Sequence, residues 1–146
     1  MKSFIKRVLF RFLRLISKPL EWKFNAKSQN DNKENLEIEY LSKYLECDRS
    51  FIEFGFDWRE FNCINLVKSN FRGLLIDANQ KNCDIANYIF NKLNLNTKAV
   101  KHWLSVDSLE PIFEFCKKND NKLGVLSVDV DGNDFWILRE ILKKIK

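Results

Sequence analysis

The sequence predicts an α/β fold in which helices cover a parallel, doubly wound sheet. Four short segments of strand length, three of them apolar runs, alternate with segments that carry apolar residues at helical spacing. Strands that alternate with helices in this way pair in parallel through right-handed crossovers. The length of 146 residues suits one domain, and a hydrophobic fraction of 45% supports a globular core.

The net charge of +5 belongs to an N-terminal appendage and not to the body of the chain. Seven basic side chains and one acidic one give residues 1–24 a charge of +6, so the other 122 residues sum to −1. A nucleic-acid-binding domain carries its positive charge on the folded body. We therefore expect no nucleic-acid partner.

Residues 1–24 are predicted to form a basic amphipathic helix, which Pro19 is expected to interrupt. Four basic side chains fall within an arc of roughly 60°, opposite apolar ones: Arg7, Arg11, Arg14 and Lys18. Such a helix docks on an anionic membrane surface, or packs its apolar face on the domain or on a second subunit. A mitochondrial presequence is a third alternative. The concentrated charge favours the membrane, so we expect a cytoplasmic chain at the inner face of the membrane.

A polar linker is predicted over residues 25–35, followed by the domain over residues 36–146. Asp107 and Glu110 resemble a capping box, and the last strand is apolar enough to be buried on both faces. The first helix of the domain has an apolar face made of Leu36, Ile38, Tyr40, Leu41, Tyr44 and Leu45. In chain order we expect helices over 35–46, 60–69, 80–93, 108–118 and 133–144, and strands over 51–54, 73–77, 97–101 and 123–128.

Cysteine and histidine usage excludes several kinds of site. No two cysteines form a CxxC pair, which excludes a zinc knuckle or a dithiol motif and indicates reduced, mostly buried thiols; they are Cys47, Cys63, Cys83 and Cys116. His102 is the only histidine. Sites with several histidine ligands are therefore excluded, and we expect no metal.

The candidate functional residues follow the predicted strands, because ligands of doubly wound sheets bind at the carboxyl ends of the strands. Gly55 follows the first strand and permits a tight turn with close backbone approach, and Asp57 lies in the same turn. Asp77 ends the second strand, 22 residues after Gly55, a spacing at which a carboxylate binds the ribose of a nucleotide-like cofactor. Alternatively, Asp77 caps the following helix.

The third and fourth strands lead to further candidates. Trp103 offers an apolar ring that could line an adenine pocket, and the alternative is that this ring is buried in the core. His102 beside it is either a functional group or a surface or structural histidine. Asp129, Asp131 and Asp134 follow the fourth strand. Because gathered carboxylates repel each other, a ligand, metal or proton is expected to compensate. Alternatively, Asn133 and Asp134 cap the last helix.

Residues 51–55, 73–79 and 126–136 resemble segments of FkbM-like class I S-adenosylmethionine-dependent methyltransferases. The most specific part is the run Ser-Val-Asp-Val-Asp-Gly-Asn-Asp-Phe-Trp. The resemblance implies a Rossmann-like sheet, S-adenosylmethionine as cofactor and O-methylation of a glycan or secondary-metabolite hydroxyl. It places Glu53 and Gly55 near the methionine part of the cofactor, Asp77 at the ribose, Ala78 and Asn79 beside the adenosine, and Asp129 near the transferred methyl.

The general base has three candidates, and the function has two alternatives. Asp129 or Asp131 would take the proton of the acceptor, and His102 ranks behind both. The turn after the first strand carries residues 56–59, Phe-Asp-Trp-Arg, instead of small residues, and the chain ends one helix after the fourth strand of a seven-stranded family fold. We therefore expect only the first half of that fold, and a non-catalytic, membrane-associated remnant or cofactor-binding module is one alternative. A haloacid-dehalogenase-like phosphatase, with Asp129 as nucleophile and Asp131 as acid, is the other.

Overall fold

The computed structural model describes residue 13 and residues 16–26, 34–129 and 132–145, and it shows an α/β architecture. Helix α1 covers residues 16–25. The later elements are α2 (Glu34–Tyr44), β1 (Ser50–Phe54), α3 (Ile64–Lys68), β2 (Arg72–Asp77), α4 (Gln80–Lys92), β3 (Thr97–Lys101), α5 (Glu110–Lys117), β4 (Val125–Val128) and α6 (Asp134–Leu142).

The four strands form one all-parallel sheet in the order β3-β2-β1-β4. Phe54 at the end of β1 is paired with Ile76 of β2 on one side and with Val128 of β4 on the other. The order matches the first four strands of the doubly wound order 3-2-1-4-5-6, in which the direction of winding reverses beside β1. The predicted parallel α/β sheet is thus confirmed, and its reversal point lies between the carboxyl ends of β1 and β4.

The core consists of two hydrophobic clusters, one on each face of the sheet. Alternate strand residues point to opposite faces, so Phe51 and Leu75 join the cluster under α1, α3 and α4, whereas Ile52 and Leu74 join the cluster under α5 and α6. β1 is buried at all five positions because it has neighbours on both faces and both sides.

The N-terminal helix does not end at Pro19 but continues to residue 25. Trp22 is only 2% exposed and packs edge-on against Phe90 of α4, with ring centroids 5.6 Å apart. Trp22 therefore anchors the part of α1 that follows Pro19. Asn25 lies in α1 and Ala26 is buried, so the predicted linker begins inside this packed segment. Residues 27–33 lie outside the described residues, and so do residues 1–12 and 14–15 of the basic helix predicted over residues 1–24.

The apolar face predicted for α2 is largely exposed, which corrects the sequence analysis. Ile38 packs against the core and Ser42 is buried, whereas five large side chains of the predicted face are at least half exposed: Leu36, Tyr40, Leu41, Tyr44 and Leu45. The orientation of α2 follows its contact with α3, where Ser69 Oγ donates to Glu39 Oε1 at 3.3 Å. Among the helices within the described ranges, none has the length and apolar character needed to cross a bilayer.

Burial of β4 and capping of two helices also differ from the prediction. β4 is partly exposed at all four positions, not buried on both faces, because it lies at one end of the described sheet. α5 begins after Leu109 and α6 after Asn133, and neither residue makes a side-chain capping bond. Asp107 instead lies in a turn closed by the bridge between Ser105 and Ser108. The helix predicted over 60–69 is shortened to α3, because Asp57 and Glu60 form another bridged turn.

Candidate functional site

A cavity of about 470 Å³ opens at the carboxyl ends of the strands, beside the reversal point of the sheet. This volume lies within the range of roughly 300–1,000 Å³ that is typical of small-molecule sites. Its wall includes five residues proposed from the sequence: Gly55, Asp77, Ala78, Trp103 and Asp129. These residues follow all four strands, so the fold brings together side chains that lie up to 74 positions apart in the sequence.

Gly55 shapes the cavity by bringing the ends of β1 and β4 together. Its φ of +79° lies in the left-handed region, and its N–H donates to the carbonyl oxygen of Ile76 at 3.1 Å. A Cβ at this position would lie 1.7 Å from the carbonyl oxygen of Asp129. Only glycine fits both restrictions. The predicted tight turn and close approach are therefore confirmed, and the neighbour approached is the Asp129 backbone.

Asp77 lies in the cavity wall and organises the turn between β2 and α4. Its Oδ1 accepts a hydrogen bond from the Asn79 N–H at 2.6 Å. Asn79 in turn accepts from the N–H groups of Lys81 and Asn82 at 3.0 and 3.3 Å. Asn79 is therefore the N-cap of α4, and the alternative that Asp77 caps this helix is wrong.

Glu53 lies in the protein interior, outside the set of residues that line the cavity. Its two carboxylate oxygens accept from the backbone N–H groups of Asn62 and Cys63, each at 2.7 Å. Burial raises the pKa of Glu53 to about 7, with a smaller contribution from the charge of Asp129, although the two N–H groups oppose this shift. Glu53 thus positions the segment that enters α3.

Trp103 and His102 border the cavity on the side that follows β3. Trp103 is 77% exposed, so its alternative as a core residue is wrong. The Nε2 of His102 lies 2.9 Å from Ser108 Oγ and 3.8 Å from Glu110 Oε2. These contacts hold the imidazole ring against the start of α5, as the structural interpretation of His102 expects. Leu104 extends the apolar wall beside Trp103.

A second, smaller cavity of about 250 Å³ holds Asp57 and Asn79. Asp77 lines both cavities, so the two adjoin at this carboxylate. Asn82, which the sequence analysis missed, fixes the wall: its Oδ1 accepts from the Trp58 N–H at 2.9 Å, and its amide donates to the Phe56 carbonyl. The only sequence signal for this role is a polar residue on the apolar face of a predicted helix. Asp131 lies outside the described residues.

Burial distinguishes three of the four cysteines from the fourth. Cys63, Cys83 and Cys116 are buried and Cys47 is half-buried, all as free thiols, in agreement with the prediction. Burial raises the pKa of Cys83 to about 11 and that of Cys63 well above its ordinary value. Within the described ranges, no group of three or more His, Cys, Asp and Glu side chains could hold a metal ion.

The cavity therefore combines a glycine turn, two carboxylates and an apolar wall at the reversal point of a parallel sheet. Such an arrangement suits a ligand with both polar hydroxyls and a flat ring. Neither a scan against protein-family models nor a search of curated proteins finds a match for this sequence.

Proposed function

We propose that the chain binds S-adenosylmethionine in the 470 Å³ cavity and transfers its methyl group to a hydroxyl of a glycan or a secondary metabolite. One observation carries this proposal: five residues from four separate segments of the sequence line one cavity at the carboxyl ends of the strands. They are Gly55, Asp77, Ala78, Trp103 and Asp129. The strand order β3-β2-β1-β4 supports it, since dinucleotide-binding sheets share this order.

The chemistry of the cavity wall fits the two ends of this cofactor. The Asp77 carboxylate offers acceptors for ribose hydroxyls at the end of β2. Trp103 and Leu104 provide an apolar surface against which an adenine ring can stack. Gly55 lies in the cavity wall at the turn after β1, where the methionine part of the cofactor would lie.

The residues of the chain would bind, orient and deprotonate. When bound, S-adenosylmethionine supplies a methyl group activated by its sulfonium, and this chemistry needs no metal. Asp129 is positioned in the cavity wall to accept the proton of the acceptor hydroxyl. Asp131, two residues further on, is the second candidate for this base. The apolar surface of Trp103 and Leu104 would orient the cofactor for the transfer.

Calorimetry with S-adenosylmethionine and S-adenosylhomocysteine tests the binding step. Asp77→Asn keeps an Oδ1 acceptor for the Asn79 N–H but removes the charge, and we expect it to weaken both affinities about tenfold or more. Asp84→Asn, on the exposed side of α4 and outside the cavity wall, is the matched control and should bind as the wild type does. Equal binding by wild type and Asp77→Asn would reject the assigned role, and no binding by the wild type would reject the proposal.

Formation of S-adenosylhomocysteine in the presence of hydroxylated acceptors tests the transfer step. Asp129→Asn should retain cofactor binding and lose methyl transfer, because its amide cannot take the proton. Cofactor binding without transfer by the wild type would instead indicate a cofactor-binding module. Hydrolysis of p-nitrophenyl phosphate that depends on Asp129 would indicate the phosphatase.

A further inference from the structure

Helix α1 presents one apolar side to the domain and another to solvent. Pro19, Trp22 and Ala26 are buried against the core. Three further apolar side chains, spaced four residues apart, share a different side of the helix. This apolar stripe is Ile16, Leu20 and Phe24, which are 51%, 60% and 76% exposed.

The contacts of α1 with the described part of the domain determine which side of this helix is exposed. Trp22 fixes the rotation of α1 through its contact with Phe90, and Lys68 Nζ donates to the Ala26 carbonyl at 3.0 Å. Turning the stripe inward would extract Trp22 from the core. Among the described residues, α1 thus packs on the domain through Trp22 and leaves this stripe exposed.

Helix α2 adds exposed aromatic groups to the same helical layer. Ile38 of α2 and Trp22 of α1 pack on one hydrophobic cluster, on one face of the sheet. The rings of Tyr40 and Tyr44 stack with centroids 6.0 Å apart, and both are exposed. Tyrosine has an apolar ring and a polar hydroxyl, which suits the boundary between lipid chains and headgroups.

The charge of the N-terminal segment determines which partner suits this surface. Residues 1–24 sum to +6, so a second copy docked through α1 would bring two positive segments together, which repel each other. A surface of anionic lipid instead attracts them. We propose that α1 docks the protein on an anionic membrane surface, with the apolar stripe inserted at the lipid boundary and the α2 tyrosines at headgroup level. This proposal is independent of the proposed methyl transfer.

Co-sedimentation with phosphatidylcholine vesicles, with and without phosphatidylglycerol, tests the proposal on the full chain. The double variant Leu20→Gln, Phe24→Gln should bind anionic vesicles at least about tenfold more weakly than the wild type, because two apolar side chains no longer insert. Phe135→Gln with Leu142→Gln on α6 is the matched control, since these side chains are equally exposed. The control should bind as the wild type does. Deletion of residues 1–24 is less informative, because it also removes Trp22 from the core.

Further outcomes distinguish an anionic membrane surface from a second copy of the chain as the partner of the stripe. Binding that requires phosphatidylglycerol and falls with added salt supports an anionic membrane surface. Equal sedimentation of the α1 double variant and the wild type would overturn the proposal. So would a dimer of the wild type that the α1 double variant abolishes while neither protein binds vesicles, because the stripe would then belong to a second copy.

Discussion

Strands β1 and β4 lie side by side in the sheet and have similarly apolar sequences, yet they differ in burial at every position. β1 is buried throughout and β4 is partly exposed throughout. The difference comes from their places in the sheet: β1 pairs with β2 and β4, whereas β4 lies at one end of the described sheet. Apolar composition therefore predicts that a run is a strand, but the neighbours of the strand decide how deeply it is buried.

The same contrast separates two carboxylates that the sequence analysis placed in one site. Glu53, within β1, is enclosed and bonded to the backbone before α3. Asp129, directly after β4, lies in the cavity wall. Position within the sheet thus encloses the first carboxylate, which bonds the segment before α3, and leaves the second at the cavity. The predictions below test this division between the centre and the end of the sheet.

Truncation of paired residues in the two strands should give the largest difference. Ile52 of β1 and Leu126 of β4 are register partners on the same face. Ile52→Ala leaves a cavity in a closed core and should cost about 4 kcal/mol of unfolding free energy. Leu126→Ala removes a partly exposed side chain and should cost about 1–2 kcal/mol. Urea unfolding of both variants measures this, and equal losses would contradict the contrast.

Much of the fold could be predicted, because the spacing of apolar residues and the positions of turn residues indicate where helices and strands lie. All four strands occur where strands were predicted, and β3 has the predicted bounds. The orientation of α2 could not be predicted, since the amphipathic pattern around Tyr40 and Leu41 competes with the contact of Ile38 and Ser42 against the core. The extension of α1 past Pro19 depends on the burial of Trp22, which is a tertiary contact.

The candidate site could be predicted in part, because parallel strands place their carboxyl ends at one edge. Gly55, Asp77 and Asp129 were found this way and line the cavity. The interior position of Glu53 was missed, since a polar residue inside an apolar strand does not reveal which backbone groups it meets. Asn82 was missed because its partners, Phe56 and Trp58, lie 24 or more residues away in the chain.

Substitution of two glycines measures how closely the turn after β1 packs against the end of β4. Gly55 and Gly132 both have positive φ, at +79° and +85°, but only Gly55 lies against a neighbouring backbone, that of Asp129. Gly55→Ala should cost about 3 kcal/mol, because it adds a backbone clash to the unfavourable φ. Gly132→Ala should cost about 1 kcal/mol from φ alone. Thermal unfolding of both variants tests this, and similar costs would mean that the close approach does not restrict the turn.

The pH dependence of stability tests the buried state of Glu53. Its pKa is raised from the ordinary value of 4.5 to about 7 in the folded protein, mainly by burial. Between these values the folded state holds a proton that the unfolded state releases, so stability falls as pH rises through this window. From about pH 5 to about pH 7.5 the loss should be about 2 kcal/mol. Above the window the difference stays constant.

Two variants show how much of the pH dependence of stability comes from Glu53. Urea unfolding of each is measured across the same pH range. Glu53→Gln cannot titrate, so its stability curve should be flatter than that of the wild type by about 2 kcal/mol across the window. Asp129→Asn removes only the smaller electrostatic contribution from the end of β4, so it should flatten the curve less. Parallel curves for wild type and Glu53→Gln would show that Glu53 is not held in a low-dielectric interior. That result would contradict the contrast between an enclosed carboxylate in β1 and an accessible one after β4.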